Sequence, residues 1–248
     1  MRQRTSSAIA FLIAIGATAT AHAGWSELVN KISDKVASGG AGTATVLSND
    51  DVIAGLKEAL ANGTRRAVDA LGRPDGYLRR PEVHIPLPDS LATIAKGMRG
   101  LGQGRYADQL ETTLNRAAER AVPEAAPVFA DAVRNMNLED ARRILKGPDD
   151  AATKYFRKTG GKRLYARMRP LVSEATDAGE VSSAYKQLQA KAGMAAKLLG
   201  LKAPDLDGYV TNKALDGLFL LIAAEEKRIR ENPAARTTEL LKRVFGAR

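Results

Sequence analysis

Asp216 sits in the most apolar stretch of this chain, Ala-Leu-Asp-Gly-Leu-Phe-Leu-Leu-Ile-Ala-Ala from Ala214 to Ala224. A carboxylate buried there alone would cost several kcal/mol, so it must meet a cation or reach a cleft. Arg116, Arg228, Arg230 and Arg236 are the cations in view. Glu119 follows Arg116 by three residues and shares its helix face. Such a cluster supports two readings: an ion-pair network that fixes helix register, or a polar centre that holds a ligand. A third reading makes Asp216 and Glu119 the two acids of a glycan hydrolase, which need an open cleft between them.

The other candidates are Tyr77 and His84. They lie within a connector, Arg73 to Pro88, that carries Pro74, Gly76, Pro81, Pro86 and Pro88. Residues before proline avoid the α region, so Val83-His84-Ile85-Pro86-Leu87-Pro88 reads as extended. Long connectors inside a compact domain are more often functional than not. Tyr77 and His84 then line a pocket or a partner groove. Equally, the connector plugs the bundle end with Ile85 and Leu87. His84 is the one histidine outside the first 23 residues. A serine or metal mechanism built on histidine would need partners for it. The chain shows no Gly-rich phosphate loop, no His-Glu-x-x-His and no nucleophile elbow. Asp149-Asp150 reads as a helix cap and dipole partner, not as metal ligands. Neither a cofactor nor a metal is expected.

The elements that must position these residues are helices. Val52, Leu56, Leu60, Ala67 and Leu71 make an apolar stripe from Asn49 to Leu71, with cap oxygens before it and Gly72 after it. After the connector, helices are expected over Asp89–Gly100, Tyr106–Ala121 and Leu138–Leu145, and from Asp149 or Asp150 through Phe156. Pro123 either kinks a helix or starts one. Gly160-Gly161 reads as a hinge, followed by helices over Arg163–Ala178 and Val181–Leu199. Tyr209–Arg230 is apolar nearly all round, which places it centrally, enclosed by the others. Asn232 caps a last helix that begins at Pro233. The Glu225-Glu226-Lys227-Arg228 run reads as a solvated helix end. No window alternates long enough for a sheet. The expected fold is all-α: one domain over residues 49–248, a multi-helix bundle around a buried C-terminal helix, with one irregular proline-rich connector. Residues 24–48 read as a short helix and a flexible arm, or as a disordered tail.

The first residues read as an export signal. Arg2 and Arg4 precede an apolar run from Ala8 to Ala17, and Ala21-His22-Ala23 fits a cleavage site. The run is shorter than the ~20 residues a membrane span needs. Cleavage after Ala23 is expected, leaving a periplasmic chain with no transmembrane span. There is no cysteine, which excludes thiol chemistry, cysteine metal sites and a lipid-modified cysteine. The formal charge is +10, and losing Arg2 and Arg4 leaves +8. Basic pairs such as Arg65-Arg66 and Arg142-Arg143 are interspersed with acids, as on a solvated surface. The balance still favours anionic envelope partners. Nucleic acid is not expected in that compartment.

Several segments stand together: Gly63-Thr64-Arg65-Arg66-Ala67-Val68, Leu71-Gly72, Pro74-Asp75-Gly76-Tyr77-Leu78 and Ile85-Pro86-Leu87-Pro88. They continue through Asn115-Arg116-Ala117-Ala118-Glu119, Val122-Pro123-Glu124-Ala125, Asp149-Asp150-Ala151-Ala152-Thr153 and Tyr155-Phe156. Last come Ala214-Leu215-Asp216-Gly217-Leu218-Phe219 and Asn232-Pro233-Ala234-Ala235-Arg236-Thr237-Thr238. From about Asn49 to Gly246 the chain resembles the domain-of-unknown-function family 4197, exported proteins of Gram-negative bacteria. The resemblance implies an all-helical envelope protein. Many members look like lipoproteins, but this chain lacks the cysteine. The family supplies no activity.

The leading expectation is a non-enzymatic periplasmic protein that binds a hydrophobic or anionic envelope ligand, such as a lipid. The alternative is a scaffold that docks another envelope protein through the connector or the N-terminal arm. The third is the carboxylate hydrolase. The expected ligand or partner residues are Tyr77, His84, Arg116, Glu119, Asp216 and Arg236.

Overall fold

The computed structural model describes residues 48–177, 186 and 205–232. The expected helices over 25–36, 181–199 (residue 186 apart) and 233–245, and Arg236 with them, lie outside the described residues. So does the expected export signal.

Helices joined by turns and one irregular connector make up the described residues, which contain no strand. Helix α1 runs over Asn49–Leu71. Ser48 starts it: the Asp51 amide donates to the Ser48 hydroxyl at 3.1 Å, and the Ser48 amide donates to the Asp51 carboxylate at 3.1 Å. This reciprocal cap satisfies two donors that a helix start otherwise leaves open. Helices α2 (Asp89–Gly100) and α3 (Arg105–Ala121) follow the connector. A 3-10 turn over Val122–Glu124, with Pro123 inside it, leads into α4 (Ala125–Arg134). Pro123 therefore neither kinks one helix nor opens the next. It tightens the passage between two. Asn137 and Asp140 repeat the reciprocal cap at α5 (Leu138–Lys146).

Helix α6 is continuous over Ala151–Asp177. The expected break at Gly160-Gly161 is absent. A Cβ built at Gly160 would lie 3.3 Å from the Val128 side chain. The glycine serves close approach of α6 to α4, not bending. Helix α7 runs over Leu206–Glu231. Asp205 caps it, accepting from the Gly208 amide at 2.9 Å.

Helices α6 and α7 form the most extensive pair, and α7 also packs against α1 and α3. Helix α1 packs in addition against α4 and α5, and α6 against α3, α4 and α5. Apolar burial is non-directional, so these contacts set the bundle. Phe129 of α4 is the aromatic hinge point, edge-on to Phe156 of α6 at 5.3 Å and to Phe219 of α7 at 6.2 Å. The all-α bundle expected around the C-terminal helix is the fold that forms.

One part of that expectation needs correcting. Helix α7 is central, yet not enclosed on every face. Asn212, Asp216, Leu220, Ala224 and Lys227 are exposed. Their spacing of three and four makes one solvent stripe along the helix. Leu220 is 48% exposed. The more thoroughly buried run is in α1, where Glu58 to Thr64 are all buried.

Candidate functional site

The connector is built as an inner part of the bundle. Asp75 turns the chain with φ of +67°, a left-handed conformation that aspartate tolerates. A Cβ at Gly76 would lie 2.4 Å from the Leu71 carbonyl oxygen, so the next position admits only glycine. The turn drives Tyr77 inward, where it is fully buried. Its hydroxyl donates to the Ala214 carbonyl of α7 at 2.6 Å. Gly217 makes the room: a Cβ there would stand 2.9 Å from the Tyr77 ring and 3.0 Å from Val83. Burial, and then the nearby Glu119 charge, pushes the Tyr77 hydroxyl well above its ordinary pKa. Ile85 and Leu87 are buried as well. The plug reading of the connector is the one that forms.

Helix α3 holds the connector with residues four apart. Glu119 accepts from the Tyr77 amide at 3.0 Å and the Leu78 amide at 3.2 Å. Asn115, with no exposed surface, donates to the Ile85 carbonyl at 2.8 Å and accepts from its amide at 2.9 Å. Glu111 meets His84 Nε2 at 2.7 Å, while His84 Nδ1 lies 3.0 Å from the Leu78 carbonyl. Positions 111, 115 and 119 fall on one helix face because residues four apart are neighbours there. The face runs along the connector and satisfies its backbone in the absence of a sheet. Arg116 completes the clamp, reaching Glu119 at 2.7 Å and Asp75 at 2.6 Å. The bond to Glu119, and after it the one to Asp75, raises the Arg116 guanidinium above its ordinary value despite desolvation. Tyr209 of α7 adds a bond to the Pro86 carbonyl at 3.0 Å.

Four expected site residues are therefore brought together: Tyr77, His84, Arg116 and Glu119. Their partners lie within the chain. Asp216 is not among them. It is exposed and pairs with Arg157 of α6 at 3.1 Å. Its side chain is 62% exposed because it stands on the solvent stripe of α7. Of the cations expected to meet it, Arg116 serves Glu119, Arg228 serves Glu225, and Arg230 serves Glu226. Glu119 and Asp216 have separate partners, and neither lines either of the two larger grooves. The paired acids of a hydrolase are not assembled.

Sequence reasoning missed Asn115 and Glu111 of the clamp, and it missed Glu226. Read as part of a solvated end, Glu226 is 7% exposed. Its carboxylate accepts from the Ala152 amide at 2.9 Å and from the Thr153 amide and hydroxyl at 3.0 Å. Arg230 donates to it at 2.8 Å. Glu226 thus caps α6 from α7, at the positive end of the helix dipole. The expected local cap by Asp149 or Asp150 is displaced; Asp150 pairs with Lys154 at 2.9 Å. The signal available in sequence was spacing. Ile222, Glu226 and Ile229 follow the buried face of α7 at steps of four and three.

Among the described residues, two open grooves offer ligand-sized room. One, of about 550 Å³, runs between α1 and α7. Ala67, Ala70, Leu220, Leu221, Ala223 and Ala224 give it apolar walls. Arg66, Arg80 and Lys227 share its rim with Glu82, Asp149, Asp150 and Glu225. The other, of about 610 Å³, lies among α4, α5 and α6. Arg143, Lys154, Lys158 and Arg163 face it, with Asp140 the one acid. A third space, beside Glu226 and Arg230, is about 10 Å³, room for one water at most.

Among the described residues no three histidine or acidic side chains gather to hold a metal ion. No helix there is long and apolar enough to cross a membrane. No curated protein and no solved structure matches the chain. One family model does, over residues 46–246, and it spans both the connector and the clamp that holds it. The chain belongs to the family described as "Protein of unknown function (DUF4197)".

Proposed function

We propose that the protein is a non-enzymatic binding protein of the cell envelope, carrying a ligand in a surface groove between helices. The observation that carries this reading is a division of labour. The polar residues best suited to chemistry, Glu119, Arg116 and His84, are spent on holding the connector. The concave surfaces open to solvent are lined by small apolar and charged side chains, a lining suited to binding. The export pattern of residues 1–23 supports a periplasmic location, with cleavage after Ala23. Residues 49–248 would then act as one unit.

The test is direct. The protein is expressed with its own first 23 residues, isolated from the periplasmic fraction without detergent, and its N-terminus is sequenced. Native mass spectrometry then looks for a bound small molecule. An N-terminal Gly24 and a mass above that of the bare chain support the reading. A bare chain, or a chain retained in the cytoplasm, contradicts it.

A further inference from the structure

Helix α7 leaves one apolar strip uncovered. Leu220 is 48% exposed, Ala224 is exposed, and Ala70 and Ala223 are partly exposed. All four line the α1–α7 groove of about 550 Å³. Leu101 is the other large apolar side chain so exposed among the described residues, and it stands on the α2–α3 turn, outside that groove. A lone surface leucine needs no explanation, but a leucine continuous with a groove of small apolar side chains marks a surface that something covers. Alanine walls let another helix approach closely.

The rim has few charges to spare. Arg66 pairs with Glu225, Arg80 with Glu82, Asp150 with Lys154 and Lys227 with Glu231. Asp149 is left, exposed and without an ion pair among the described residues. The groove therefore selects by apolar fit, with a slight preference for positive charge.

The nearest apolar segment is the chain's own continuation. Lys227 and Ala224 line the groove one and two turns before α7 ends at Glu231. Asn232 then has an extended backbone, with φ of −110° and ψ of 107°. That conformation stops α7 and is the one an N-cap needs, and Pro233 suits a first helical position. Residues 233–248 carry Thr237, Leu240, Leu241, Val244 and Phe245 at helical spacing. As a helix they would extend about 24 Å from Asn232, and Leu220 lies about 18 Å back along α7. Arg236, Lys242, Arg243 and Arg248 outnumber Glu239, which gives the segment the sign that Asp149 attracts.

We propose that residues 233–248 fold back as a helix and fill the α1–α7 groove, setting Leu240, Leu241, Val244 and Phe245 against Ala70, Leu220, Ala223 and Ala224. The groove is then a seat for the chain itself. This goes beyond the binding reading and does not rest on it; the α4–α5–α6 groove is left for a ligand.

The experiment digests the full chain briefly with trypsin, and mass spectrometry times the cuts after Arg236, Lys242 and Arg243. Leu220→Glu and Leu101→Glu are compared with the parent, their folding checked by thermal melting. The expected result is slow cutting in the parent and in Leu101→Glu, and cutting about tenfold or more faster in Leu220→Glu. Equally fast cutting in all three overturns the proposal, as does slow cutting that Leu220→Glu leaves unchanged. Protection lost on dilution overturns it in favour of a second copy in the groove. The chain has no cysteine, so introduced thiols give a clean second measurement. A short bismaleimide should link the two thiols of Ala224→Cys/Leu241→Cys within one chain. It should not link those of Asn212→Cys/Leu241→Cys, because Asn212 lies about 18 Å further along the stripe. Where Leu220→Glu lowers the melting temperature, this linking decides: no link at position 224, or equal linking at 224 and 212, overturns the proposal. The bound molecule sought by native mass spectrometry is a separate readout, so the binding reading stands or falls on its own.

Discussion

Asn115 and Ile85 bond to each other twice, side chain to backbone, as two strands would. The Asn115 amide donates to the Ile85 carbonyl at 2.8 Å and its oxygen accepts from the Ile85 amide at 2.9 Å. A segment with proline on both sides of its extended run has no sheet to join. One asparagine on a neighbouring helix supplies the missing edge. One turn on, Glu119 accepts from the Tyr77 and Leu78 amides, and one turn back, Glu111 meets the His84 ring. Truncation here strands buried backbone groups, which costs more than a bond is worth. Asn115→Ala is expected to destabilise the protein by about 2–3 kcal/mol. Asn115→Asp, which keeps an acceptor but loses the donor, should not restore stability. Urea unfolding followed by circular dichroism measures both.

Gly217 gives a steric prediction. The Cβ of alanine would press on the Tyr77 ring at 2.9 Å and on Val83 at 3.0 Å. Gly217→Ala should cost about 1–3 kcal/mol despite alanine's better helix propensity. Adding Val83→Gly should recover part of that loss, because it removes both Val83 atoms in the way, Cβ at 3.0 Å and Cγ1 at 3.2 Å. Thermal melts of the single and double variants form the cycle that reads the coupling. Strictly additive losses would show that the contact at Val83 does not matter.

The cap on α6 can be assigned by comparing two acids. Glu226→Ala takes the acceptor from the Ala152 and Thr153 amides and the carboxylate from Arg230. It should cost about 3 kcal/mol or more. Asp150→Ala, at the position a local cap would occupy, should stay within about 0.5 kcal/mol of the parent. The reverse order would mean that the helix is capped locally.

Tyr77 predicts a pH dependence. Burial holds its hydroxyl protonated in the folded protein, well above the ordinary value of 10.0. The unfolded chain therefore loses that proton first as pH rises, and stability must fall. The contribution is whole at neutral pH, begins to decline near pH 10, and continues to fall until the folded protein ionises. Tyr155 and Tyr209 are also raised, first by burial, and act with the same sign. Tyr77→Phe should therefore be less stable than the parent at neutral pH and less sensitive to alkali above about pH 10. Parallel alkaline curves for the two proteins would contradict the burial of Tyr77.

What the sequence makes legible is mostly local. Apolar positions at helical spacing mark α1 and α7, and glycines and prolines mark the breaks. Pro86 and Pro88 mark the extended run because their effect acts on the adjacent residue. The clamp is harder to read because its partners are far apart: Asn115 and Ile85 are 30 residues distant and Glu226 and Ala152 are 74 distant. A polar letter on a helix does not say whether it faces water or another backbone. Asp216 and Glu226 illustrate this, one in an apolar run yet exposed, the other in a charged run yet buried. Helical phase separates them. Glu226 lies four residues from Ile222 on the buried face, and Asp216 four from Leu220 on the exposed one. Gly160 misleads for a related reason. Glycine permits a hinge, but it also permits close packing, and Val128 decides between them.

The connector as an inner plug held by α3 is the claim on which the rest depends. Amide hydrogen exchange at Tyr77, Leu78 and Ile85, resolved by NMR, tests it most directly. Their amides donate to Glu119 and Asn115, so they should exchange as slowly as the amides of α1 and α7, needing near-global opening. Exchange within seconds at neutral pH, as in an open loop, would contradict the plug and return Tyr77 and His84 to the list of residues free to meet a ligand.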